Sequence, residues 1–66
     1  MKLIVDEKTD ALYLRLDDSK IIESQEASPG VILDFNDREQ VVGVEILRLS
    51  SRSPSLNLRE LHFQNS

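Results

Sequence analysis

Three short stretches of the chain, residues 12–16, 31–35 and 42–46, alternate apolar and polar side chains with a period of two. Successive side chains of a β-strand point to opposite faces, so each stretch offers one apolar face and one more polar face. This pattern is typical of half-buried antiparallel strands and predicts an α+β fold that is mostly β.

Turn-forming residues separate the predicted strands. Residues 2–5 and 11–16 are predicted to pair across the polar turn 6–10, and residues 31–35 and 40–47 across the turn 36–39. Residues 20–26 read as a third strand, whose polarity indicates a sheet edge, and Ser28-Pro29-Gly30 is the strongest break. We therefore predict a small antiparallel sheet, a meander of hairpins with about five strands. Gly43, in mid-strand, indicates a bulge or a close packing contact.

The pattern becomes ambiguous after Ile46. A short helix near residues 46–53 is predicted to end at Pro54, and the tail 54–66 is open to a helix or a last strand. We favour the strand because Leu61-His62-Phe63 alternates.

Length and composition restrict the fold to a single small domain, residues 1–66. A chain of this size buries only about 60% of its unfolded surface, and the absence of cysteine excludes disulfides and Cys-ligated zinc. Self-association as a homodimer is therefore expected to add stability. The chain has no apolar run of the roughly 20 residues that cross a membrane and no signal-peptide pattern, so we expect a cytoplasmic protein that does not enter membranes.

Charge is distributed unevenly along the chain. Residues 1–45 hold 5 Lys/Arg against 11 Asp/Glu, a net charge of −6, whereas residues 46–66 hold 3 Arg against 1 Glu, a net charge of +2. An acidic sheet repels a phosphate backbone and attracts a basic partner. Nucleic-acid binding by the monomer is thus unfavourable, and a basic protein partner is favoured.

Candidate chemistry is sparse, and we predict no catalytic residue, no cofactor and no metal site. His62 is the single histidine, and the carboxylates of the turns lack the spacing of a calcium loop. Arg48 and Arg52 stand four residues apart, which fits either a small basic patch or, more simply, a solvated helix face that complements the helix dipole.

A family resemblance emerges from three segments. Residues 6–16, 29–35 and 41–47 read DEKTDALYLRL, PGVILDF and VVGVEIL, and their order and spacing resemble the small bacterial family known as domain of unknown function 2283. The resemblance covers a core of residues 1–53 and leaves 54–66 as an extension. It implies a compact, mostly β protein without established catalytic residues. It also implies an antitoxin-like role, because members are often encoded beside small proteins resembling RNase-type toxins.

Three functional hypotheses follow. The first is a non-catalytic protein-binding module that dimerises and holds a basic partner, such as an RNase-type toxin. The second is a small metal- or ligand-binding protein or enzyme that uses Asp10, Asp34 or Glu45 near Tyr13 and Arg15. The third is a dimeric DNA-binding regulator that uses Arg48, Arg52 and Arg59. The candidate interaction surface comprises Tyr13, Arg15, Asp34, Glu45, Arg48 and Arg52, of which the first four are expected to share one surface of the sheet.

Overall fold

A computed structural model describes residues 1–52 of the chain. These residues form five β-strands and one short helix. The predicted antiparallel sheet with one short helix is confirmed. The bounds are β1 Lys2–Asp6, β2 Ala11–Arg15, β3 Glu23–Ser28, β4 Val31–Phe35, β5 Val41–Ile46 and α1 Leu49–Arg52.

The strands form one sheet in the order β1-β2-β5-β4-β3, with every neighbouring pair antiparallel. The predicted hairpins β1–β2 and β4–β5 are present, and β3, β4 and β5 form a continuous meander. The meander does not extend back to β2, because β5 pairs with β2 and moves β3 to the far edge. Strands β2 to β5 thus form a Greek key.

The connection between β2 and β3, residues 16–22, explains this order. It must pass three strand spacings of about 4.8 Å each, or roughly 14 Å, and seven residues can span up to about 23 Å. Consequently β3 begins at Glu23 instead of residue 20, and it lies at the edge that its polarity predicted.

Two faces of different character result from the strand register. On one face the pairing places apolar side chains in two rows that run across the strands. We call these eight residues the apolar face. They are Leu3, Leu14, Val44 and Leu33 in one row, and Val5, Leu12, Ile46 and Val31 in the next. The opposite, polar face carries Tyr13, Arg15, Ser24, Asp34 and Glu45.

Full burial is rare in residues 1–52. Among apolar side chains of this part, only Val42 (1% exposed) and Leu49 (6%) are buried, while each residue of the apolar face keeps intermediate exposure. A sheet with one apolar face normally packs that face against a second layer. Within the described residues, the single element outside the sheet is the four-residue helix α1.

Helix α1 starts three residues later than the predicted helix, 46–53. It begins at Leu49 because Arg48 adopts a positive φ of 53°, which interrupts helical geometry directly after β5. The predicted tail, 54–66, lies outside the described residues. No helix of residues 1–52 has the length and hydropathy required to cross a membrane.

Candidate functional site

A hydrogen-bonded polar cluster occupies the polar face. The register sets Ser24 opposite Asp34 and Asp34 opposite Gly43, so that side chains from β2, β4 and β3 meet above β5. Asp34 accepts hydrogen bonds from the Tyr13 hydroxyl (3.0 Å) and the Ser24 hydroxyl (2.6 Å). The cluster therefore links three strands, β2, β4 and β3, through their side chains, which meet across the backbone of β5.

Gly43 provides the space for this cluster. A Cβ at this position would lie 2.6 Å from the Tyr13 hydroxyl and 2.8 Å from Asp34 Oδ2, closer than real Cβ contacts. The tyrosine and the carboxylate thus occupy the volume that a side chain would fill. Gly43 also lies beside a register irregularity at Asp34 and Phe35 in the β4–β5 pairing, so both predicted roles of this glycine, a bulge and a close contact, are present.

Arg15 extends the cluster toward the connection between β2 and β3. Its guanidinium donates to the Tyr13 hydroxyl (3.4 Å) and to the Ser19 carbonyl. Within residues 1–52, no buried side-chain nitrogen or oxygen lacks a hydrogen-bond partner. The cluster therefore stabilises the sheet, and its one pair with acid–base character is the Tyr13 hydroxyl and the Asp34 carboxylate, which is 9% exposed.

Four of the six predicted surface residues share the polar face as expected. Tyr13, Arg15 and Asp34 are joined by hydrogen bonds, and Glu45 lies beside them, opposite Tyr13 on β2 and Ile32 on β4.

Arg48 and Arg52 lie elsewhere, at the end of the sheet where the Pro29–Gly30 turn is found. Arg52 Nε donates to the Leu47 carbonyl (2.9 Å), and its guanidinium also donates to the Pro29 carbonyl. The backbone of Gly30, with φ of 77°, lies directly beneath both guanidinium groups. The two arginines therefore hold the β3–β4 turn against the end of β5.

Asp10, the remaining acidic candidate, contacts α1 instead of the polar cluster. Its carboxylate accepts hydrogen bonds from the Ser50 backbone N–H (3.2 Å) and hydroxyl (2.7 Å). Within residues 1–52, no three carboxylate or histidine side chains converge as metal ligands would.

The two ends of the sheet differ in charge. The end formed by residues 1–2, 16–23 and 36–40, here called the acidic end, carries five acidic side chains against three basic ones, a net side-chain charge of −2. The end formed by residues 6–10, 28–30 and 47–52, here called the mixed end, carries three of each and is neutral. The acidic end holds Asp17, Asp18, Glu23, Asp37 and Glu39 with Lys2, Lys20 and Arg38. The Ser19 hydroxyl donates to Asp17 and lowers the pKa of that carboxyl, which keeps it charged.

A depression of about 300 Å³ opens where the acidic end meets the apolar face. It is lined by Glu23 and Gln25 from β3, Phe35 from β4 and Glu39 from the following turn. Sequence reasoning did not select these four residues as a site. Their proximity depends on the pairing of Glu23 with Phe35, which the period-two pattern of each separate strand does not specify.

A family model described as a protein of unknown function, DUF2283, matches residues 2–50. The chain belongs to the DUF2283 family. This match spans all five strands of the sheet and the start of α1, so the resemblance expected from the sequence is confirmed. Neither the curated proteins nor the solved structures gave a match to this DUF2283 chain.

Proposed function

We propose that this DUF2283 protein is a non-catalytic protein-binding module that dimerises and holds a small basic protein, in an antitoxin-like role toward an RNase-type partner. The observation that carries the proposal is the acidic end, with a net side-chain charge of −2, where Glu23 and Glu39 line a depression that has an aromatic ring in its wall.

The depression suits a basic side chain. A lysine or arginine of the partner would place its aliphatic stem against Phe35 and its cationic group between the carboxylates of Glu23 and Glu39. The acidic charges around it would accelerate the encounter with a basic surface and disfavour acidic competitors.

Nucleic acid is less well suited to this surface. The described residues carry 11 acidic against 7 basic side chains, and Arg52 already donates to backbone carbonyls of Leu47 and Pro29. An arginine engaged in this way contributes less to a phosphate-binding patch, so the DNA-binding hypothesis receives less support than the binding of a basic protein.

The test is a binding titration between the full-length protein and a small basic RNase-type protein encoded beside it. We expect affinity to fall when salt is raised, because the contributing charges are exposed. The double variant Glu23→Lys/Glu39→Lys should weaken binding by at least about tenfold, as expected for reversed charges at an interface.

A matched control has the same change of charge at exposed glutamates away from the depression. Glu7→Lys/Glu26→Lys should bind nearly as well as the unmodified protein. Equal losses for both double variants would show that net charge alone drives association. The absence of binding, together with the absence of protection when both proteins are expressed in cells, would refute the antitoxin-like role.

A further inference from the structure

The apolar face is a continuous surface across β1, β2, β5 and β4, and it is bordered by the polar side chains of β3. Its two rows cross four strands in register, Leu3-Leu14-Val44-Leu33 and Val5-Leu12-Ile46-Val31. Four strands about 4.8 Å apart and three residue positions along each strand cover roughly 19 Å by 10 Å for the two rows alone. Val42 and Phe35 extend this apolar surface toward the acidic end.

We infer that a second copy of this chain covers the apolar face, with the two sheets packed face to face and Val44 next to the two-fold axis. This inference rests on the dimerisation in the proposed function and names the surface that is used. It supplies the second layer that a sheet with one apolar face requires.

The charge distribution favours a second copy over the basic partner as the occupant of this face. None of the eight residues is charged, whereas the acidic groups of residues 1–52 lie at the two ends of the sheet, on the polar face and on the edge strand β3. A basic surface placed on the apolar face would lose hydration without gaining a counter-charge. An identical apolar surface has no such cost and is complementary to itself in a two-fold arrangement.

Pairing through the free edge of β3 is less favourable. All six residues of β3 are exposed, two of them are glutamates, and the strand contains a register shift between Glu26 and Ser28. Charges and bulges are features by which edge strands avoid pairing with another chain.

The position of the axis follows from the strand order. The apolar face spans β1, β2, β5 and β4, so its centre lies between β2 and β5, beside Val44. Two identical patches overlap most when the axis passes through their centre, so Val44 of one copy should lie close to Val44 of the other.

The test uses the full-length chain, which contains no cysteine, so that a single introduced cysteine reports on one position. Val44→Cys lies on the apolar face, and Ile32→Cys is the matched control, a partly buried apolar position on the polar face. Packed sheets lie about 10 Å apart, and a bismaleimide of similar reach should join Val44→Cys into covalent dimers while Ile32→Cys remains uncrosslinked.

Two lysine variants, one on each face of the sheet, provide an independent test by sedimentation equilibrium. The unmodified chain should show twice its mass of 7.5 kDa. Leu33→Lys should raise the dimer dissociation constant at least about 100-fold, because it buries an unpaired charge, whereas Ile32→Lys, adjacent in sequence but on the polar face, should remain dimeric. If Leu33→Lys does not fold, the crosslinking of Val44→Cys and Ile32→Cys determines which face forms the interface.

Two results would overturn the inference. One is a monomer at every concentration tested, which would exclude a second copy on the apolar face and would remove dimerisation from the proposed function. The other is a dimer that crosslinks through Ile32→Cys and not through Val44→Cys, which would place the interface on another surface. Neither result affects the salt-dependent titration, which tests the binding of a basic partner separately.

Discussion

Tyr13, Gly43 and Asp34 pack together, so the position of each depends on the other two. The tyrosine hydroxyl and the aspartate carboxylate occupy the space above the glycine, and the glycine lets the ring lie close to the backbone of β5. An aromatic side chain that covers a glycine on a neighbouring strand restores packing that the glycine lacks.

Gly43→Ala tests this set directly. The added methyl would meet the Tyr13 hydroxyl at 2.6 Å, so we expect a loss of about 1–3 kcal/mol in the free energy of unfolding, the usual effect of overpacking. Urea denaturation followed by circular dichroism measures it.

The control is a double-mutant cycle with Tyr13→Phe, which removes the oxygen that the methyl would meet. The double variant should lose less stability than the sum of the two single losses. Additive losses, or no loss for Gly43→Ala, would contradict the packing role of the glycine.

Asp34 distinguishes a stabilising cluster from a catalytic or ligand site. Asp34→Ala removes the acceptor of two hydroxyl groups and should cost about 2–3 kcal/mol of stability. Asp34→Asn keeps one acceptor oxygen and should cost about 1 kcal/mol. Thermal and urea denaturation give both values.

Glu45→Gln serves as the comparison, because Glu45 lies on the same face of the sheet but outside the hydrogen bonds of Asp34. It should leave stability nearly unchanged. If Asp34→Asn and Glu45→Gln instead abolished a measured activity or ligand affinity at unchanged stability, the polar face would be a functional site and the ligand-binding or enzyme hypothesis would gain support.

At the scale of elements, the turn between β1 and β2 holds the helix. Asp10 belongs to this turn, adopts a positive φ of 56°, and reaches Ser50 across 40 residues of sequence. The Asp10 carbonyl also accepts a hydrogen bond from the Leu49 N–H (3.0 Å). A carboxylate that binds the free N–H groups of a helix N-terminus stabilises it even when it comes from another segment.

Two substitutions of Asp10 distinguish the contribution of its carboxylate to helix capping from the contribution of its backbone conformation. Asp10→Gly tolerates the positive φ and loses only the carboxylate, for an expected cost of about 0.5–2 kcal/mol. Asp10→Ala loses the carboxylate and also strains the backbone, so its cost should be larger. Equal stability of Asp10→Gly and the unmodified chain would show that the Ser50 contacts contribute nothing.

The sequence predicted the elements better than their arrangement. Residues 31–35 form β4 as expected, since period-two alternation and a preceding Pro-Gly turn are local signals. The pairing of β2 with β5 is not local, because it joins Tyr13 to Glu45 across two intervening strands. The alternation of side chains within each strand was enough to predict the shared face of Tyr13, Arg15, Asp34 and Glu45. The hydrogen bond between Ser24 and Asp34 depends instead on the register of the edge strand β3.

At the scale of the whole molecule, the described part is a single layer whose surfaces differ in chemistry. The polar face is closed by its own hydrogen bonds, the apolar face is only partly buried, and the acidic end carries a net negative charge. Under the two proposals, a second copy covers the apolar face and a basic partner binds the depression at its border, where Phe35 adjoins both surfaces. Binding of either kind would also stabilise the fold by mass action.

Removal of residues 54–66 tests whether the sheet and a second copy of it are sufficient for a stable fold. The five strands and the helix of the described residues lie within residues 2–52, and the family match ends at residue 50. We therefore expect a chain ending at Ser53 to keep the strand signal in circular dichroism and the mass of a dimer. Because dimer stability depends on protein concentration, the urea midpoints are compared at equal concentration. The midpoint of the truncated chain should then differ little from that of the unmodified chain.

The control for this truncation keeps the length of the chain and removes its apolar character by changing Leu56, Leu58, Leu61 and Phe63 to serine. This variant should also be a stable dimer. If both variants became unstable monomers, the apolar face would depend on the C-terminal segment, since a second copy offering the same eight residues would then be insufficient to cover it. If only the truncated chain lost stability, chain length and not apolar burial would be responsible, and the dimer across Val44 would still explain how a single-layer sheet of this size remains folded.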